Sequence, residues 1–82
     1  MVEIAYDDKF EKQIKKIKDK KLKERVKKQI RKIIENPEIG KPMRFARWGT
    51  REVRIKPFRL SYIYLKDENK IVFLDFYHKD EQ

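Results

Sequence analysis

Two apolar runs near the end of the chain, Arg59–Leu65 (RLSYIYL) and Lys70–Tyr77 (KIVFLDFY), are separated by the polar tetrad Lys66-Asp67-Glu68-Asn69. Runs of this length, rich in Ile, Val, Tyr and Phe and joined by a short polar link, specify a β-hairpin. A lone hairpin is marginal in water, so it must pair with further strands and be covered on one face. The upstream residues supply both. Arg51–Lys56 alternates Val53 and Ile55 with Arg54 and Lys56, a strand with one core side and one charged side. Pro57-Phe58 interrupts it and marks a turn or an edge. Met43–Trp48 is a further strand candidate, turning at Gly49-Thr50. At the other end Val2, Ile4 and Tyr6 alternate with Glu3 and Ala5, a short first strand.

Between these strands the apolar period changes from two to that of a helix. Asp8, with Glu11 three residues on, has the form of a capping box that opens a helix bearing Phe10, Ile14 and Ile17 on one face. Leu22 falls five positions later and breaks the register. Leu22, Val26, Ile30 and Ile33 then restart a clean stripe, so the segment is two helices joined near Lys18–Lys21 rather than one long helix. Asn36-Pro37 stops the second, and Glu38–Pro42 reads as a loop. The expected fold is α+β in the order β-α-α-β-β-β: an antiparallel sheet with a helical hairpin packed on one face, as a single domain over residues 1–82. Such a sheet keeps a second face that the helices cannot cover, and function is expected there.

Charge says what that face would meet. The chain carries 23 Lys and Arg against 14 Asp and Glu, a net charge of +9. The excess lies in Lys9–Glu35, where 13 basic residues less 4 acidic give +9, and in Lys41–Arg59, where 7 less 1 give +6; Leu60–Gln82, 3 less 5, gives −2. A polyanionic partner follows, nucleic acid or an acidic protein. The helical lysines alone would also suit a plain solvated face. There is no cysteine and one histidine, so neither a disulfide nor a thiolate metal site is available, and metal catalysis and cofactors are not expected. No apolar run approaches the roughly 20 residues of a membrane span, and the N-terminus lacks a signal-peptide pattern, so a cytoplasmic protein is expected.

The order of elements and the residues of the final third resemble the RelE/ParE superfamily of toxins from toxin–antitoxin pairs. The resemblance spans the basic helical hairpin, the segment GKPMRF, the run REVRIKPFRLSYIY and the closing strand with HKDE. Arg59-Leu60-Ser61-Tyr62 matches the family's Arg-hydrophobic-x-Tyr pattern. Tyr77-His78-Lys79-Asp80 matches its terminal Gly/His-basic cluster. The RelE branch cleaves messenger RNA in the ribosomal A site, and the ParE branch poisons DNA gyrase. Members of both branches are neutralised by an antitoxin that wraps around the toxin. The resemblance therefore implies a cognate antitoxin, helix-rich and acidic, in a hetero-oligomer, together with the ribosome and messenger RNA, or gyrase. A basic RNA-binding domain without toxicity is the further alternative.

RNA cleavage by transesterification needs a base for the 2′-OH, stabilisation of the phosphorane and an acid for the departing 5′-oxygen. With one His, a cluster of cations is the available substitute. The resemblance implies Arg59, Lys79 and His78 as catalytic residues, and Arg51, Arg54, Lys56, Arg44, Arg47 and Trp48 as RNA- or phosphate-binding ones. Each has a plainer reading: an exposed strand charge or antitoxin contact for Arg59, a solubilising face for Arg54 and Lys56, and an edge plug for Trp48. His78 shares parity with Val72, Leu74 and Phe76, which would place it on the packed side. The chain also departs from the family pattern, because Asp80 stands where another Arg is expected and no Tyr follows it before Gln82.

Overall fold

The computed structural model describes residues 2–43 and 49–81. Strand β1 (Glu3–Tyr6) leads into helices α1 (Asp8–Lys15) and α2 (Lys20–Glu35), followed by strands β2 (Lys41–Pro42), β3 (Thr50–Ile55), β4 (Phe58–Leu65) and β5 (Lys70–His78). The helical hairpin on one face of a sheet is as expected, with the break in register marking the joint between the helices. Asp7, not Asp8, caps α1: its carboxylate accepts the Lys9 backbone N–H at 2.9 Å. Asp19 caps α2 in the same way through the N–H groups of Lys21 and Leu22, and these caps satisfy amides that a helix start leaves unpaired. Asn36 ends α2 ahead of Pro37.

The sheet order is β1-β5-β4-β3-β2. It is mixed rather than wholly antiparallel, because β1 joins β5 in parallel, pairing Glu3–Tyr6 with Lys70–Phe73. No hairpin links these two strands, so nothing forces them to run in opposite directions. β2 falls at Lys41–Pro42, within the segment expected as a loop, where it pairs with Arg51 and Glu52 of β3; of the expected Met43–Trp48 strand, Met43 is not in a strand and residues 44–48 lie outside the described part. Beyond Tyr6 the edge of β5 is covered from α1, where the Gln13 side-chain carbonyl accepts the Phe76 N–H at 2.8 Å. A glutamine thus stands in for a missing strand partner.

The core lies between the sheet and the helices. Phe10, Ile17, Val26 and Ile33 meet Ile55, Leu60, Tyr62, Ile71, Phe73 and Phe76, all buried. Apolar burial of this kind stabilises by about 1.5–3 kcal/mol per large side chain. A bulge resets β5: Ser61 pairs with Asp75 but Tyr62 pairs with Phe73, leaving Leu74 as the extra residue. Ile71 and Phe73 therefore share the helix face with Phe76 and His78, whereas Val72 shares the open face with Asp75 and Tyr77. His78 is on the packed side as its parity with Phe76 required, but Val72 is not, because strict alternation does not survive the extra residue.

Candidate nucleic-acid interface

β3 and β4 are joined through Lys56-Pro57, a cis peptide, with Ile55 opposite Phe58 and Arg54 opposite Arg59. Val53 and Ile55 face the helices, so Arg54 points to the open side, and its register partner Arg59 points with it. Two hydrogen bonds fix the turn between them. Arg25, on α2, donates from Nη1 to the Lys56 carbonyl at 2.8 Å. The Lys79 N–H donates to the Pro57 carbonyl at 3.0 Å, which draws the residues following β5 against the same turn. The result is a groove of about 380 Å³ lined by Arg54, Lys56, Pro57, Phe58, Arg59 and Lys79. Four cations surround it and, among the described residues, no carboxylate lines it.

One acid borders this cluster. Glu52 Oε1 lies 3.3 Å from Arg59 Nη1, and Glu52 Oε2 accepts the Tyr77 hydroxyl at 2.9 Å. Arg59 is directly opposite Tyr77 on β5, and Glu52 is opposite Ser61 on β4, so the ion pair runs diagonally across the open face. The Arg59 side chain is 25% exposed and that of Glu52 16%, a setting in which charge attraction is screened less than at a free surface. Arg59 thus has one edge tied to the sheet and the remaining N–H donors available to an anion.

The structure brings together Arg54, Lys56, Arg59 and Lys79 and sets two other expected site residues elsewhere. Arg51 faces the helix side, where its Nη1 donates to the carbonyls of Glu38 (3.0 Å) and Gly40 (2.8 Å) and holds the loop after α2. His78 lines a separate hollow with Gln13, Ile17, Leu22 and Phe76. Its Nδ1 accepts the Asp80 N–H at 3.2 Å, with the Asp80 carboxylate 3.6 Å away, and its ring meets Phe58 edge-on at 5.4 Å. Arg44, Arg47 and Trp48 lie outside the described residues. The Tyr of the Arg-hydrophobic-x-Tyr pattern, Tyr62, is fully buried; its hydroxyl donates to Pro37 O at 2.8 Å and accepts the Gly40 N–H at 2.9 Å. Burial pushes its pKa above the usual 10.0, with the Gly40 hydrogen bond and nearby Arg51 pulling the other way.

The bond between Glu52 and Tyr77 has no signature in the sequence pattern beyond Glu52 being the single acid within Lys41–Arg59. The cations of α2, Lys20, Lys21, Lys23, Arg25, Lys27, Lys28, Arg31 and Lys32, are all exposed and extend the positive field beyond the groove. Among the described residues, no three His, Asp or Glu converge as metal ligands, and no helix is long and apolar enough to cross a membrane.

Residues 4–82 match the family model described as the ParE toxin of type II toxin-antitoxin systems, parDE. No curated protein gave a sequence match. Among solved structures, the toxin fold of the intact E. coli RelBE toxin–antitoxin complex superposes with a TM-score of 0.81 at 17% identity, covering 95% of this chain and 96% of the other. The RelBE2 toxin–antitoxin complex from Mycobacterium tuberculosis gives 0.77 at 22% identity, covering 95% and 98%. A metal-bound toxin from Helicobacter pylori gives 0.75 at 24% identity, covering 99% and 98%. At these identities the likeness concerns the fold.

Proposed function

The chain belongs to the ParE toxin family of type II toxin–antitoxin systems, and we propose that within this family it acts as a ribosome-dependent endoribonuclease that cuts messenger RNA in the A site and so stops translation. The observation that carries this reading is the groove in which Arg54, Lys56, Arg59 and Lys79 converge with no lining carboxylate among the described residues. Four cations at one turn form a costly arrangement for a fold to hold unless an anion is to be bound. Their geometry suits a phosphodiester. Arg54 and Lys56 grip its non-bridging oxygens and set the register of the RNA. Arg59, with one edge fixed by Glu52, places its remaining donors where charge grows on the phosphorane, a contribution on the order of a hundredfold in rate for a positioned donor. Lys79 donates the proton that the departing 5′-oxygen takes. His78 faces the other side of the sheet, which supports a structural part for it at the end of β5.

The partner that restrains this activity is an acidic, helix-rich antitoxin. Two of the similar folds were solved as toxin–antitoxin complexes, and the net charge of +9 suits an acidic chain wrapped around this one.

A second reading is a gyrase inhibitor that binds without cutting. The match to the ParE model favours it, as does Asp80, an acid beside His78 where another Arg would strengthen a nuclease site. Pulse-labelling after induction without antitoxin separates the two. The nuclease reading expects incorporation of amino acids to fall first while DNA synthesis continues. Early loss of thymidine incorporation with translation intact would replace it with the gyrase reading.

A further inference from the structure

The cation groove lacks a group to take the proton from the attacking 2′-OH, and we propose that Glu52 is that general base. The inference rests on the nuclease reading and names a catalytic residue that the family pattern does not supply. Among the described residues, Glu52 is the only carboxylate in contact with a groove cation. It is held from both sides: Oε2 accepts the Tyr77 hydroxyl at 2.9 Å, and Oε1 lies 3.3 Å from Arg59 Nη1. The second contact is long, and a carboxylate oxygen accepts more than one hydrogen bond, so Oε1 keeps a lone pair for a further donor.

A phosphate held by the remaining N–H groups of Arg59 sits beside this carboxylate on the same guanidinium. The ribose 2′-OH next to the scissile phosphate then falls between the phosphorus and Oε1, within the roughly 3 Å reach that proton transfer requires. The step balances. The 2′-OH proton passes to Glu52 as the 2′-oxygen bonds to phosphorus. The bond from phosphorus to the 5′-oxygen breaks, and that oxygen takes a proton from the Lys79 ammonium. A 2′,3′-cyclic phosphate and a free 5′-OH result. Glu52 then gives its proton to water, and Lys79 recovers one from it. Among the described residues, the charged or titratable groups facing Glu52 are Arg59 on β4, Tyr77 on β5, Lys41, its register partner on β2, and Arg54, two residues along β3.

Single-turnover cleavage of a defined message on programmed ribosomes tests this, with wild type, Glu52→Gln and Glu52→Asp assayed across a pH series. The amide of Glu52→Gln keeps an oxygen for Arg59 and presents its NH2 to the Tyr77 hydroxyl oxygen, which can accept, but it cannot take up the proton. The expected result is a loss of about a hundredfold or more in the cleavage rate, with ribosome binding within a few-fold of wild type. The rise of rate with pH on the acid side disappears, and Glu52→Asp retains part of the rate. If Glu52→Gln fails to fold by circular dichroism, the pH profile of Glu52→Asp decides: an acid limb shifted from that of wild type supports the base, and an unshifted one overturns it. Glu52→Gln cleaving within threefold of wild type, with the same pH profile, overturns the role of Glu52 and leaves the nuclease reading standing. Wild type that binds ribosomes and leaves the message intact overturns both.

Discussion

Arg54 and Arg59 face each other directly across β3 and β4, both on the open side of the sheet. Like charges at opposed positions weaken strand pairing by a few tenths to about 1 kcal/mol. Glu52 offsets this only from the Arg59 side. Arg54→Ala is therefore expected to leave the thermal midpoint unchanged or slightly raised. Inorganic phosphate should raise the midpoint of wild type and do so less for the variant, because ligand that binds only the folded state stabilises it by mass action. Paired melting curves with and without phosphate check both halves of this expectation.

Salt dependence gives a second test. Each phosphate neutralised on single-stranded RNA contributes about 0.7 to the slope of log affinity against log salt. Lys56→Ala and Lys79→Ala should each flatten that slope by about this amount in titrations of RNA or ribosomes. Lys66→Ala, in the polar link between β4 and β5 at the far end of the hairpin from the groove, should leave it unchanged.

Tyr62 and Gly40 form the lock that holds the loop after α2 against the sheet. Tyr62→Phe leaves the Gly40 N–H and the Pro37 carbonyl without their partner, at a cost of about 1–3 kcal/mol. Gly40→Ala acts on the same contact, because a Cβ there would come within 2.6 Å of the Tyr62 hydroxyl. The pH dependence follows from the raised pKa of Tyr62. Below pH 10.0 the folded and unfolded forms both keep the proton, and its contribution is fully present. Above that the unfolded chain loses the proton first, so stability falls as pH rises toward the folded value. Urea titrations from pH 8 to 11 should show this decline in wild type and a shallower one in Tyr62→Phe.

The edge of β5 beyond β1 depends on one side chain. Gln13→Leu removes the acceptor of the part-buried Phe76 N–H, and an unpaired amide there should cost about 1–3 kcal/mol in urea denaturation. It should also speed hydrogen exchange at Phe76 more than at Phe73, whose strand pairing with Tyr6 is untouched.

Most of this architecture was legible because periodicity reports burial. The stripe at Leu22, Val26, Ile30 and Ile33 and the alternation at Arg51–Lys56 each fixed an element and its inner face, and with it the outward side of Arg54. The features that were not legible depend on contacts between distant segments. The parallel course of β1 is set by pairing across nearly the whole chain. The bulge at Leu74 adds a residue that changes which side Val72 faces. The charge of Arg51 suits phosphate, but the residue sits on the Val53 side, where the carbonyls of Glu38 and Gly40 claim it. Composition reports only the excess of positive charge around Glu52, whereas its role follows from the two side chains it touches, Arg59 and Tyr77.

On the nuclease reading, the groove around Arg59 holds the phosphate that is cut. The most direct measurement is primer extension on a defined message with programmed ribosomes, comparing wild type with Arg59→Ala, with and without ribosomes. Breaks confined to the A-site codon, dependent on ribosomes and lost in the variant while it stays folded, are the expected result. An intact message at saturating wild-type protein, or breaks that persist unchanged in Arg59→Ala, would contradict it.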